Sequence, residues 1–288
     1  MDKSQYKNVY VFVEQRDGVV QNVALELLGK ARELADALHE QVIALLLGKG
    51  VKDKADELIA AGADVVLSIE ADELAQYTTE PYAQAITQVI HERKPSILLI
   101  GATSIGRDLG PRLSARIGTG LTADCTGLDI SEDGDLLMTR PAFGGNLMAT
   151  IVTPNTRPQM ATVRPGVLKK GEYNEAKANA VVVEPVAFEL SEADIKTKVL
   201  EVVKEAKELV DLTGAEVVVS VGRGISKDVE TGIKLAEELA GLFGGVVGGS
   251  RAGCLLTIRL VRPARPYIRS CTLLWAFPVL SSIRLVCR

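Results

Sequence analysis

Short apolar runs alternate with amphipathic segments over roughly the first 120 residues, and this alternation restricts the possible fold more than any other feature. The apolar runs carry Val, Ile and Leu at odd and even positions alike, which is typical of strands buried on both faces. The segments between them have helical periodicity, as in Gln21–Leu38, whose apolar residues form one stripe. The pattern predicts an α/β fold with a parallel sheet covered on both faces. The predicted strands are Asn8–Val13, Gln41–Leu47, Asp64–Ile69 and Ser96–Gly101, and the predicted helices are Gln21–Leu38, Lys52–Ala61 and Gln84–Arg93.

The pattern changes between Thr122 and Leu168, where short segments are separated by Gly-Gly, Asp-Gly and Pro. Such punctuation predicts strands without helices between them, which extend or flank the sheet. A further strand is predicted within Ala178–Val186, and a polar connector follows it. We therefore place a first domain at residues 1–190. The strands predicted in this stretch are Gly127–Ile130, Leu136–Arg140, Asn146–Val152 and Gln159–Val163.

A second strand and helix alternation occupies residues 195–251. It contains a turn of sequence VGRGI (221–225) between a predicted strand and a predicted helix. This unit is too small to bury much apolar surface by itself, so it is predicted to be a truncated domain. The predicted elements are helix Ile195–Leu209, strand Glu216–Ser220, helix Lys227–Leu242 and strand Gly245–Gly248.

Residues 252–288 differ in composition from the rest of the chain. The whole chain has 33 Lys and Arg and 37 Asp and Glu; the tail holds six of the Arg and no Lys, Asp or Glu. Residues 1–251 therefore carry 27 basic and 37 acidic residues, a net charge of −10 against +6 for the tail. The tail could be an arm that binds nucleic acid or a patch that binds a membrane surface, but such arms are usually Lys-rich and poor in apolar residues. The apolar run Cys271–Leu280 has no regular period, so we predict that the tail forms no native element.

No stretch of the sequence approaches the ~20 apolar residues that a bilayer crossing needs, and the N-terminus lacks the apolar core of a signal peptide. A cytoplasmic location is therefore expected. Cys125 is the only cysteine before residue 252, which argues against a disulfide framework and favours a small buried core residue.

Three polar residues follow the two predicted strands of the second domain. Arg223 lies on the turn after the first strand, and Ser250 and Arg251 come after the next parallel strand. The carboxyl ends of neighbouring parallel strands line the ligand crevice of an open α/β sheet. Guanidinium groups bind phosphate oxygens bidentately, so these residues suit a pyrophosphate. The alternative is that they are surface charges paired with nearby carboxylates.

A second candidate anion site is the segment Gly101–Pro111, which follows a strand, opens a helix and carries Arg107. Free backbone N–H groups and the helix dipole attract anions at such a position. The segment matches neither the dinucleotide fingerprint nor a P-loop, and a tight turn without a ligand explains it equally well. His39 and His91 both lie near helix ends without partners at metal-ligand or catalytic-triad spacing. We expect no catalytic residue and no metal site.

Residues 1–251 resemble the alpha subunit of the electron transfer flavoproteins, a family that includes the FixB proteins. The matching segments occur in family order and are GATSIGRDLGPRLSARIGTGLTADCTGLDI, RPAFGGNLMATIVTPNTRPQMATVRPGV, VVVSVGRGI and GGVVGGSRA. The resemblance implies a heterodimer with a beta subunit, on which the N-terminal domain packs, and a Rossmann-like C-terminal domain that holds FAD. It also implies that Arg223, Ser250 and Arg251 contact FAD.

The resemblance ends near Ala252. Family members continue with the motif Val-Gly-Gln-Thr-Gly-Lys and then Gly-Ile-Ser-Gly-Ala-Ile-Gln-His, which surround the flavin and its phosphates. Neither occurs here, yet codons for Arg259–Tyr267 can be chosen so that a one-base shift restores the first motif, and the same shift over Leu274–Ile283 permits the second. We infer that the tail is an aberrant, frameshifted reading of a normal gene, with a few codons missing near Ala252. FAD binding is then expected to be weak or absent.

The function expected from the resemblance is that of an electron carrier subunit, in which FAD passes electrons from flavin-dependent dehydrogenases to an acceptor. The protein would tune the flavin through hydrogen bonds and charge, without substrate catalysis of its own. Two alternatives are a partner-binding module without a cofactor, and an adenine-nucleotide-binding protein that uses Gly101–Pro111. No nucleic acid and no membrane span are expected.

Overall fold

The fold is known from a computed structural model. It describes residues 3–142, 147–171, 183–187, 199, 201–202, 215, 217–222, 228–249, 271–275 and 285–286. The chain divides into two compact units, Met1–Glu201 and Val202–Arg288. The predicted helix Ile195–Leu209 falls almost wholly outside the described residues.

The first unit is built on a parallel sheet, as the sequence predicts, and this sheet has seven strands. The strands are β1 (Val9–Val13), β4 (Val42–Gly48), β5 (Val65–Glu70), β6 (Ile97–Gly101), β7 (Leu121–Cys125), β11 (Gln159–Val163) and β12 (Val183–Pro185). Their order across the sheet is β12-β5-β4-β1-β6-β11-β7.

Helices cover both faces of this sheet and create two hydrophobic cores. The helices are α1 (Asn22–Leu38), α2 (Ala55–Ala60), α3 (Thr79–Arg93) and α4 (Ser104–Ile117). Alternate residues of β1 enter opposite cores: Val9, Val11 and Val13 lie in the core beneath α1 and α2, whereas Tyr10 and Phe12 lie in the core beneath α3 and α4. This two-sided burial explains why the strand is apolar at every position.

Three of the four strands predicted without helices between them form a smaller antiparallel sheet beside the large one, whereas the fourth, Gln159–Val163, joins the large sheet as β11. The order of the smaller sheet is β10-β9-β8, where β8 is Gly127–Ile130, β9 is Leu136–Ala142 and β10 is Leu147–Ile151. A short hairpin of β2 (Gln15–Arg16) and β3 (Val19–Val20) was not predicted. Its turn residues Asp17 and Gly18 both have positive φ, 51° and 75°, which suits the right-handed twist of a tight hairpin.

Buried polar residues join the small sheet to the large one. The guanidinium of Arg157 donates to Asp135 Oδ1 at 2.6 Å, and both residues are 7% exposed. Gln159, the first residue of β11, accepts a hydrogen bond from the backbone N–H of Leu136 at 2.8 Å and donates to the carbonyl of Thr153 at 3.1 Å. These contacts fix the start of β9 against the start of β11.

The second unit contains a four-stranded sheet and a helix. The strands are β13 (Val217–Val221), β14 (Val246–Gly249), β15 (Cys271–Trp275) and β16 (Leu285–Val286), in the order β14-β13-β15-β16. Helix α5 (Val229–Leu242) connects β13 to β14. The predicted alternation is confirmed here, with boundaries shifted by one or two residues.

The prediction that the tail forms no native element is wrong for residues 271–275 and 285–286. Cys271–Trp275 pairs in parallel with β13, and Leu285–Val286 pairs with β15 in antiparallel orientation. A short apolar run without a period is also compatible with a strand, so the lack of periodicity did not exclude this one. The tail therefore takes part in the second sheet.

A fragment of residues 1–190 is expected to unfold in a single cooperative transition. All seven strands of the large sheet lie between Val9 and Pro185, and both cores are built from residues of this range. Thermal unfolding followed by circular dichroism, together with limited proteolysis, measures this. A matched fragment of residues 195–251 lacks β15 and should show no such transition. A 1–190 fragment without a protected, cooperative core would contradict the proposed domain boundary.

Candidate functional site: the carboxyl edge of the second sheet

Three parallel strands of the second sheet end at the same edge. Val221, the last residue of β13, is paired with Gly249 of β14 and with Trp275 of β15, which are also the last residues of their strands. From β13 the chain passes through α5 to β14 on one side, whereas β15 lies on the other side. The strand order therefore reverses at β13, and ligands of open α/β sheets bind outside the carboxyl ends at such a point.

The residues predicted to bind the cofactor follow the ends of these strands in sequence. Arg223 is the second residue after β13, and Ser250 and Arg251 are the first and second residues after β14. All three lie outside the described residues. The strands that precede them are neighbours with aligned ends, so the topology agrees with the convergence expected from the sequence, while the role of the three side chains stays a prediction.

One face of β13 packs against helix α5. Val219 and Val221 of the strand form a small core with Ala236 and Ala240 of the helix. Because side chains alternate along a strand, Val218 and Ser220 lie on the opposite face. Helix α5 therefore packs on one face of β13 and not on the face that carries Val218 and Ser220.

Ser220 is a buried polar residue on that opposite face that sequence reasoning missed. It is 1% exposed, and its Oγ has no hydrogen-bond partner among the described residues. A buried polar group without a partner costs about 1–3 kcal/mol, so it needs a physical explanation. Its position one residue before the end of β13 puts this orphaned hydroxyl at the candidate cofactor edge, which is consistent with a polar ligand such as FAD. The only signal in the sequence is a serine within the strand VVVSV.

A carboxylate caps the N-terminus of helix α5. Asp228 Oδ1 accepts a hydrogen bond from the backbone N–H of Thr231 at 3.1 Å. The hydrogen bonds from Thr231 lower the pKa of Asp228, so its carboxylate is ionised at neutral pH. This negative charge occupies the helix N-terminus, where a phosphate would otherwise be attracted. Phosphate binding in this unit is therefore expected to depend on arginines and not on the helix dipole.

In the second candidate anion site, Gly101–Pro111, groups that could bind an anion already have partners within the protein. Thr103 caps helix α4 by accepting from the backbone N–H of Gly106 at 3.1 Å. The hydroxyl of Thr103 donates to Glu14 Oε2 at 2.5 Å, and Arg16 donates to Glu14 Oε1 at 2.8 Å. Glu14 is 2% exposed, so a buried carboxylate stands beside the helix N-terminus.

Arg107, the cation of the same segment, is also paired within the protein. It donates to the carbonyl of Ala102 at 3.0 Å and to Asp124 Oδ1 at 3.1 Å. A Cβ at Gly106 would lie 1.8 Å from the carbonyl oxygen of Gly101, so this glycine is required by the close strand-to-helix turn. The geometry favours the interpretation of a tight turn and gives the adenine-nucleotide hypothesis no support.

The remaining polar candidates are structural. His39 ends α1 in a left-handed conformation and His91 lies in the last turn of α3; both side chains are exposed. Cys125 is fully buried, and burial raises the pKa of its thiol to about 11. The prediction of a small core cysteine is therefore confirmed. The described residues contain no group of three or more His, Cys, Asp and Glu arranged to hold a metal ion.

Within the stretches that the structure describes, no helix combines the length and the apolar character that a bilayer crossing requires.

Two family models match the chain. The model described as "Electron transfer flavoprotein domain" matches residues 9–189. The model described as "Electron transfer flavoprotein FAD-binding domain" matches residues 211–258, which include β13, α5 and β14. The second match thus covers the strands whose carboxyl ends form the candidate site.

Curated relatives are similar over most of the chain. The "Electron transfer flavoprotein subunit alpha" of Clostridium acetobutylicum is 52% identical over 253 residues, covering 88% of this chain and 75% of the relative. The "Protein FixB" of Clostridium saccharobutylicum is 52% identical over 256 residues, covering 88% and 74%. The "Acryloyl-CoA reductase electron transfer subunit beta" of Anaerotignum propionicum is 50% identical over 275 residues, covering 87% and 75%. From these matches we conclude that the chain belongs to the electron transfer flavoprotein alpha subunit family, which includes the FixB proteins.

Proposed function

We propose that this chain is the alpha subunit of a heterodimeric electron carrier that holds FAD and passes electrons from flavin-dependent dehydrogenases to an acceptor. The observation that carries the proposal is the coincidence of two features in one segment. Residues 211–258 match the FAD-binding family model, and the strands within them end side by side at a reversal of strand order. FAD, when bound, supplies the redox chemistry, and the chain binds, orients and shields it.

Arg223, Ser250 and Arg251 are the residues proposed to hold the cofactor. Two guanidinium groups at one sheet edge bind a pyrophosphate because each presents a planar fork of donors to phosphate oxygens. The ionised Asp228 caps the N-terminus of α5, so the arginines, and not the helix dipole, are proposed to bind the phosphates. Ser250 would add a neutral hydroxyl.

The proposed partner is an electron transfer flavoprotein beta subunit, which packs on the domain of residues 1–190. One relative is named as an electron transfer subunit of acryloyl-CoA reductase, and another as a subunit of an NAD- and ferredoxin-dependent lactate dehydrogenase. These names support partners among the dehydrogenases and reductases. A cytoplasmic location without nucleic acid is part of the same proposal.

We also propose that FAD binding is impaired in this chain, because residues 252–288 lack the flavin motifs of the family. The FAD-binding family model stops at residue 258, close to where the motifs of the family are lost. A frame-restored chain, in which the codons after residue 251 are read in the shifted frame, would carry those motifs again. Sequencing the coding DNA around Ala252 tests the frameshift directly: codons that do not permit the shifted motifs would exclude it.

Titration of FAD into the frame-restored chain, co-purified with its beta subunit, tests the function. Saturation at one flavin per heterodimer in this site, followed by reduction of the flavin by a dehydrogenase, is the expected result. A stable heterodimer that shows no saturable flavin binding would instead favour the hypothesis of a partner-binding module without a cofactor.

Replacement of Arg223 by alanine in the frame-restored chain should weaken FAD binding by about 1.5–3 kcal/mol, the usual contribution of a hydrogen bond to a charged group. Isothermal titration of FAD measures the effect. Lys234→Ala is the matched control, because it removes a cation of the same unit from the exposed surface of α5, where Lys234 forms an ion pair with Glu230. Equal FAD affinity of the Arg223→Ala variant and the parent would remove Arg223 from the site.

A further inference from the structure

The buried hydroxyl of Ser220 has no function in the fold that the structure describes. Among the described residues, four buried side-chain atoms lack a hydrogen-bond partner: Arg32 Nε, Ser68 Oγ, Thr153 Oγ1 and Ser220 Oγ. Ser220 is the only one of these four in the second unit. It interrupts a strand whose other residues are all valine, where an apolar side chain would avoid the desolvation of a hydroxyl.

The position of Ser220 connects it with the candidate cofactor edge. It lies one residue before the carboxyl end of β13, the strand at which the order of the sheet reverses. Its register partner on β14 is Gly248, which has no side chain to fill the space beside the hydroxyl. Since Val219 and Val221 pack against α5, Ser220 is on the face that this helix does not cover.

We propose that Ser220 is a further cofactor-site residue, whose hydroxyl gains its hydrogen-bond partner, an oxygen of FAD, when the cofactor binds. The inference rests on the proposed function, because it assigns FAD to this edge. A hydroxyl that is unpaired without the ligand and paired with it contributes to binding and not to the stability of the cofactor-free protein. This contrast distinguishes a binding residue from a merely structural one.

Ser220→Ala and Ser220→Cys, which replaces the hydroxyl by a weakly hydrogen-bonding thiol, are the test variants, each prepared in the frame-restored chain with its beta subunit. We expect the Kd for FAD to rise about tenfold in both variants, which corresponds to about 1.4 kcal/mol. The melting temperature of the cofactor-free heterodimer should stay the same or rise, because the substitution removes an unpaired buried hydroxyl. FAD fluorescence titration and thermal unfolding without flavin provide the two measurements.

Ser68→Ala is the matched control. Ser68 is also 1% exposed and unpaired, but it lies on β5 of the seven-stranded sheet. Its substitution should affect the cofactor-free protein in the same way as Ser220→Ala and leave the Kd for FAD unchanged.

Three outcomes would overturn the inference, and they can be told apart. If the parent heterodimer binds FAD and the Ser220 variants bind it equally well, Ser220 is not a cofactor-site residue, while the proposed function stands. If the variants lose affinity and the cofactor-free melting temperature falls with it, the role of Ser220 is structural. If the parent heterodimer shows no saturable FAD binding, the proposed function and the inference fail together.

Discussion

The frame-restored chain is expected to bind FAD about a thousandfold more tightly than the 288-residue chain, with each measured as a heterodimer with the beta subunit. In the 288-residue chain the expected contacts come from Arg223, Ser250 and Arg251 and, by inference, Ser220. The restored motifs would add backbone donors near the pyrophosphate and groups that hold the flavin ring. Three such contacts of about 1.4 kcal/mol each give a factor of about a thousand, which places the 288-residue chain in the micromolar range or weaker.

Isothermal titration of FAD into both heterodimers measures this difference. Circular dichroism and thermal unfolding of the same samples serve as the control, because both chains must be folded for the comparison to report on the site. Nanomolar binding by the 288-residue chain, lost when residues 252–288 are removed, would show that the tail itself builds a flavin site. Both the frameshift and the impairment would then be rejected.

The strand Cys271–Trp275 gives the tail a structural role in the second sheet. It pairs with β13 along its whole length, so it gives that central strand a second neighbour and places its own carboxyl end at the candidate site. The tail therefore supports the sheet that contains β13, the strand that precedes Arg223 in the sequence. We accordingly expect the impairment to affect flavin contacts more than the folding of the second sheet.

The large sheet could be predicted from sequence because its central strands are apolar on both faces and separated by helical stripes. The errors can be traced to particular residues. Helix α3 begins at Thr79, five residues before the predicted start, because Pro81 is tolerated in a first turn where its missing N–H has no intrahelical partner to lose. Strand β7 was missed because it lies at the sheet edge and contains Asp124, whose positive φ and ion pair with Arg164 depend on contacts distant in sequence.

The candidate site could be predicted only in outline. The Gly-containing turn after one strand and the Ser-Arg pair after the next identified the edge, because the ends of parallel strands meet in space. Ser220 could not be recognised, since a serine in a strand becomes informative only when its burial and lack of a partner are known. Glu14 was missed for a related reason: its proximity to Thr103 depends on the pairing of β1 with β6, which are far apart in sequence.

Replacement of Arg157 by alanine is expected to lower the free energy of unfolding of the 1–190 fragment by about 3–5 kcal/mol. Its guanidinium donates to Asp135 and to the carbonyl of Thr156, at 2.6 and 3.0 Å, in a buried position between the two sheets of the first unit. Without Arg157, the buried carboxylate of Asp135 would lose its closest cation, since Lys3 lies 3.7 Å away on an exposed side chain. A buried charge deprived of its main partner is strongly destabilising.

Urea denaturation of the fragment measures the loss, and two variants define its origin. Lys49→Ala removes one member of an exposed ion pair with Asp72 and should leave the free energy of unfolding nearly unchanged, because water screens that pair. The double variant Asp135→Leu with Arg157→Met removes both buried charges and should recover much of the stability, since apolar side chains of similar size can replace a buried ion pair. A double variant as unstable as Arg157→Ala would show that the guanidinium acts mainly through the carbonyls of Thr153 and Thr156, which it also contacts, and not through Asp135.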